Sequence, residues 1–106
     1  MSKYEMDTDE IEKFSRMFKA LSNPGRLRIL LELASCIPKE GFSGTQQEQE
    51  NSQQNFAQCL GLAQSTVSHH FKELRQAGLL YMRRDGQKTI ISVNFEALES
   101  IQKLLK

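Results

Sequence analysis

Between Gln64 and Gln76 the sequence sets short hydrogen-bonding side chains at helical spacing. Ser65, Ser68, His69, Lys72 and Gln76 fall on one face of such a helix, and Val67, Phe71 and Leu74 on the other. The polar face holds one basic residue, few aliphatic groups and no carboxylate. Side chains of this kind can donate to and accept from base edges on the floor of a DNA major groove. Any solvated helix face looks similar, so its neighbours must decide the matter.

Those neighbours are informative. Asn55–Leu60 precedes the helix as a short helix of its own, with a tight turn around Gly61, and Gly78 closes the second helix. Leu79-Leu80-Tyr81-Met82-Arg83-Arg84 and Gln87-Lys88-Thr89-Ile90-Ile91-Ser92-Val93 follow as strand-prone runs about Asp85-Gly86, a strong hairpin signal. With Asp85-Gly86 as the turn, Arg83 faces Lys88, Leu80 faces Ile91 and Met82 faces Thr89. Like charges set opposite each other are unfavourable unless an anion lies between them, and a phosphate backbone supplies one. A helix-turn-helix running straight into a basic hairpin is a winged helix.

Gln64-Ser65-Thr66-Val67-Ser68-His69-His70, then Leu74-Arg75-Gln76-Ala77-Gly78-Leu79-Leu80 and the Arg-rich hairpin, resemble the ArsR/SmtB family of bacterial transcriptional repressors. Ala20-Leu21-Ser22-Asn23-Pro24-Gly25-Arg26-Leu27-Arg28-Ile29-Leu30 resembles that family's other signature. The likeness covers residues 14–36 and 55–95. It implies a mostly α fold with a small β-hairpin, a winged helix-turn-helix that dimerises through its first and last helices. It also implies a homodimeric, sequence-specific DNA-binding regulator, a repressor on a palindromic operator; release by a small inducer or, through the two cysteines of this chain, by a thiol modification is expected. Gln64, Ser65, Ser68 and His69 are the expected base readers, and Thr66, Lys72, Arg75, Arg83, Arg84 and Lys88 the expected phosphate contacts. The alternative is a winged helix turned into a protein-interaction module without specific DNA binding. An enzyme is remote, since no nucleophile–base pair, phosphate loop or paired carboxylates stand out.

The chain departs from the family at its sensing sites. Metal-sensing members carry two thiols just before the helix-turn-helix, where this sequence has Ser52 and Gln54, neither a soft ligand. A second family site uses Asp and His on the last helix, but no histidine follows His70, and residues 95–106 offer only Glu96 and Glu99. We therefore expect no metal and no cofactor. Cys36 and Cys59 remain as a candidate redox switch, able to bridge if their Cα atoms come within about 6 Å. Their other reading is as two small buried hydrophobes. His69 and His70 project about 100° apart, which sends His69 to the polar face and His70 to packing. Ala63 stands where the family often has a capping serine.

Length and composition frame these elements. A chain of 106 residues, 39% apolar, reads as a single domain over 1–106. No apolar run approaches the roughly 18 residues of a membrane span and no secretory leader is visible, so a cytoplasmic protein with reduced thiols is expected. Net charge is +1, unevenly placed. Glu5, Asp7, Asp9, Glu10 and Glu12 outweigh Lys3 and Lys13, whereas Lys72, Arg75, Arg83, Arg84 and Lys88 outweigh Glu73 and Asp85.

A first helix is expected over 8–21, its stripe of Ile11, Phe14, Phe18 and Leu21 having Met17 at the edge. A second runs from Pro24 to Ser35, apolar around most of its girth and so centrally buried. Residues 37–54, rich in Gln, Glu and Asn, read as a flexible polar loop, with weak helix as the alternative over 45–54. A last helix over 95–105 carries Leu98, Ile101, Leu104 and Leu105. Ile11, Phe14, Phe18, Leu98, Ile101 and Leu105 are the expected dimer interface.

Overall fold

The computed structural model describes residues 6–106, so Lys3 and Glu5 of the acidic N-terminal stretch lie outside the described residues. Eight elements follow in the order α1 (Thr8–Leu21), α2 (Pro24–Cys36), β1 (Phe42–Thr45), α3 (Gln46–Leu60), α4 (Gln64–Gln76), β2 (Leu80–Asp85), β3 (Lys88–Val93) and α5 (Phe95–Leu104). The strands form one antiparallel sheet, with β3 between β1 and β2. Four of the five helix starts are set by side-chain caps, on α1, α2, α3 and α5. Asp7 accepts from the Glu10 amide at 2.7 Å, Asn23 from Arg26 at 3.1 Å with Pro24 behind it, and Asn94 from Ala97 at 3.1 Å.

The stretch 37–54, expected to be a flexible polar loop, is instead largely ordered into β1 and the first half of α3. Thr45 and Glu48 form a capping box: the Glu48 amide donates to Thr45 Oγ1 at 3.2 Å, and the Thr45 amide donates to Glu48 Oε1 at 3.1 Å. The Thr45 amide, and then the Thr45 hydroxyl donating to Glu48 Oε1 at 3.0 Å, hold the Glu48 carboxyl below its usual range. Further along, Gln46 donates to Glu50 at 3.2 Å and Gln47 to Asn51 at 3.0 Å, one turn apart. Gln49 is buried, and its amide donates to the Thr89 carbonyl of β3 at 2.8 Å. The helix lacks apolar residues at its start because it docks there by hydrogen bonds.

α1 turns Met17 and Ala20 into the core and leaves Ile11 and Phe18 exposed. One further expectation changes. α2 is buried on one side only: Ile29, Leu30 and Leu33 are inside, but Leu27 and Leu31 face solvent. The core between α1, α2, α4 and the sheet is closed by Val67, Leu74, Leu79 and Leu80, with Phe56 of α3 meeting Phe71 of α4 edge-on at 5.9 Å.

The hairpin register also differs from expectation. Asp85 pairs with Lys88, Arg83 with Ile90, Met82 with Ile91 and Leu80 with Val93. The turn is Gly86-Gln87, because Gly86 alone takes a positive φ, +65°. A turn centred on Asp85-Gly86 would need positive φ at both residues, and Gly at the first central position suits type II′. The two-residue shift leaves every side chain on its expected face. It removes the Arg83–Lys88 juxtaposition and sets Asp85 opposite Lys88 instead, so the argument from like charges does not hold.

Candidate nucleic-acid interface

The turn that presents α4 is built on Gly61, whose φ of +66° ends α3 in a left-handed residue. The Leu62 amide then reaches back to the Ala57 carbonyl at 2.9 Å. Ala63 caps α4 with no side-chain hydrogen bond, the loss expected from the sequence. At the far end Asn94 joins the hairpin to the exit of α4, since its Nδ2 donates to the Gly78 carbonyl at 2.7 Å and its amide to Leu79 at 3.0 Å. Anchored at both ends, α4 buries Val67, His70, Phe71 and Leu74 and leaves its other side uncovered.

Gln64, Ser65, Ser68, His69 and Lys72 are all exposed on that side, and Thr66 is half-buried. Ser68 is not free: its hydroxyl donates to Gln53 Oε1 of α3 at 2.7 Å. His69 Nε2 lies 3.6 Å from Glu73, which is also 3.7 Å from Arg26 of α2. The Arg75 guanidinium meets the Met82 sulfur of β2 at 3.2 Å, joining recognition helix and wing. Arg83 and Arg84 are both exposed but project from opposite faces of the hairpin, as neighbours on a strand must. Arg84 shares the face of Met82, toward α4. Arg83 shares the face of Tyr81 and Ile90, which with Glu40 line a separate depression. The sequence placed the two arginines together, and the fold separates them.

The sequence reading missed Arg16, Lys19 and Arg26. With His69, Glu73 and Gln76 they line a depression of about 440 Å³ between the end of α1, the start of α2 and one flank of α4. Arg26 Nε and His70 Nδ1 are buried there or nearby with no hydrogen-bond partner among the described residues. In sequence these cations are scattered among the charges of two helices, and only the packing of α1 and α2 against α4 gathers them.

His70 packs as expected, 6% exposed, against the first turn of α2, where a β-carbon on Gly25 would stand 3.1 Å from its Nε2. Burial, then the charges of Arg26 and His69, hold its pKa below the ordinary 6.5, with Glu73 acting the other way. The folded state therefore disfavours the proton more than the unfolded chain does. The stability tied to a neutral His70 is complete above 6.5 and is lost as pH falls through that value toward the lower folded one. Unfolding followed at pH values on both sides of 6.5 should show this loss, and His70→Gln should weaken the dependence. An identical pH dependence in the variant would contradict it.

Cys36 and Cys59 are both exposed and unlinked, which corrects their reading as buried hydrophobes. Cys59 lies in a depression with Arg28, Glu32, Ser52 and Phe56. Among the described residues no three His, Cys, Asp or Glu side chains gather as metal ligands, and no helix is long and apolar enough to cross a membrane.

Comparison with known proteins agrees with this geometry. The Crp-like helix-turn-helix domain family matches residues 26–101. The HTH-type transcriptional regulator YgaV of Escherichia coli (strain K12) is 33% identical over 95 residues, covering 90% of this chain and 84% of that protein. The arsenical resistance operon repressor of Staphylococcus xylosus is 31% identical over 99 residues, covering 89% and 78%. Among solved structures, the homodimeric winged helix-turn-helix DNA-binding domain Mb0332 of Mycobacterium bovis, a possible ArsR-family transcriptional regulator, superposes with a TM-score of 0.61 at 22% identity. It covers 99% of this chain and 85% of that one, a likeness of fold.

Proposed function

Because the chain belongs to the ArsR/SmtB family of winged helix-turn-helix transcriptional regulators, we propose that it acts in the cytoplasm as a homodimeric repressor on a palindromic operator. The observation that carries this reading is the uncovered polar face of α4, held at both ends and bordered by cations from the wing. Two such helices, related by a twofold axis, enter successive major grooves about 34 Å apart. Gln64, Ser65, Ser68 and His69 read bases. Lys72, Arg75 and Arg84 hold phosphates, with Thr66 beside them at the start of the helix. A duplex strand borders a major-groove helix on both sides, so Arg16, Lys19 and Arg26 face the strand on the flank away from the wing. Arg83 and Lys88, on the other face of the hairpin, contribute less than Arg84.

The twofold partner covers the apolar side chains left open on the first and last helices. Ile11, Phe18, Leu104 and Leu105 are exposed, and Phe14, Leu98 and Ile101 are half-buried against the core. The homodimeric state of the Mycobacterium bovis domain supports pairing as such. Release from DNA follows binding of a small inducer or modification of Cys36 and Cys59, whose thiols are both open to solvent.

The test separates positioning from reading. Arg84→Ala should weaken binding similarly on cognate and random duplexes and reduce the log–log salt slope by about 0.9 for the one phosphate lost. Gln64→Ala should leave the salt slope nearly unchanged and relax discrimination at particular base pairs, by about 1 kcal/mol or more. Identical effects of both variants on all duplexes would contradict this division, and a wild type without salt-sensitive DNA binding would argue for the protein-interaction reading.

A further inference from the structure

The proton of Ser68 is committed before any DNA arrives. Its hydroxyl donates to Gln53 Oε1 across the gap between α3 and α4, at 2.7 Å. A serine hydroxyl has one hydrogen and two lone pairs, and when free it rotates to donate or accept as its surroundings require. With the hydrogen held by Gln53, only acceptor capacity faces the groove. In the major groove the donors are exocyclic amines, N6 of adenine and N4 of cytosine, whereas guanine and thymine offer the acceptors O6 and O4. An acceptor-only hydroxyl gains a hydrogen bond from the amines and meets lone pair against lone pair at the carbonyls.

Resting on the assignment of Ser68 as a base reader, we infer that Gln53 is a specificity-determining residue. It fixes Ser68 as a hydrogen-bond acceptor and so restricts the base opposite to adenine or cytosine. Gln53 is half-buried on α3, outside the recognition helix, and works through Ser68 rather than by touching DNA. One neutral hydrogen bond of this kind corresponds to about fivefold discrimination.

Selection from randomised duplexes with the full chain tests this. Comparing wild type with Ser68→Ala locates the position that Ser68 reads. There wild type should favour adenine or cytosine by about fivefold. Gln53→Leu and Gln53→Ala, which free the hydroxyl to donate, should bring the four bases close to parity at that position and leave the others as they were. Gln53→Glu offers only acceptor oxygens and should keep the preference. Thermal unfolding of each variant identifies the folded ones, and the two substitutions that free the hydroxyl serve as each other's reserve. An unchanged preference in the folded Leu or Ala variant, or an equal loss of affinity for every sequence, overturns the inference and leaves the DNA-reading role intact. Failure of wild type to select any sequence removes that role, and this inference with it.

Discussion

Ile11→Asp combined with Phe18→Asp is expected to convert the protein to a monomer and to cut operator affinity on the order of 10²–10⁴-fold. Both side chains are open to solvent in the single chain, Ile11 at 52% and Phe18 at 38%. Neither is needed to fill the core, which α1 reaches through Met17 and Ala20. Aspartates there should leave the monomer folded while placing charge where a twofold mate would bury apolar surface, at a cost that stays unpaid when no partner is found. A dimer holds its second recognition helix at high effective concentration once the first has bound, and a monomer loses that advantage on every duplex. Sedimentation equilibrium reads the assembly, and titration of a palindrome against a single half-site reads the coupling. A double variant that remains dimeric at the wild-type concentration would place the interface elsewhere, for instance on Leu27 and Leu31, which are also exposed.

Leu74→Ala should be the most damaging single change to stability, by about 2–5 kcal/mol. Leu74 is 0% exposed, and its side chain sits where α4 turns toward the wing. Its carbonyl also receives the Leu79 amide at 2.9 Å, so the residue lies at the junction that Gly78 and Asn94 close. A cavity at this point loosens the recognition helix and the hairpin together. DNA binding should fall with stability and recover partly on cooling. Gln64→Ala on the exposed side of the same helix should shift stability by no more than about 0.5 kcal/mol. Denaturant unfolding of the two variants measures the contrast, and a loss below 1 kcal/mol for Leu74→Ala would mean that the neighbouring helices collapse into the gap.

Much of the fold was readable in the chain. Asn23-Pro24, Asn94 and the left-handed glycines at 61 and 78 mark helix ends through local chemistry that needs no tertiary partner. The alternation of Val67, Phe71 and Leu74 against Ser65, Ser68 and Lys72 fixes which side of α4 is dry. The capping box of Thr45 and Glu48 was equally local, a Thr-x-x-Glu pattern. It was outweighed by the polar composition that follows it, because that part of α3 is held by hydrogen bonds such as Gln49 to Thr89, not by apolar burial.

The sequence by itself determined the ends of most helices, the winged-helix order and the polar side of the recognition helix, though not β1 or the first half of α3. Each depends on backbone preference or on periodicity within about four residues. Tertiary structure alone decided the hairpin register, since Gly86 but not Asp85 takes positive φ, and so parted Arg83 from Arg84 across the sheet. It alone brought Arg16, Lys19 and Arg26 beside α4 and gave the proton of Ser68 to Gln53, fifteen residues away. Those relations depend on where packed helices leave their side chains in space, a property that no spacing along a single chain encodes.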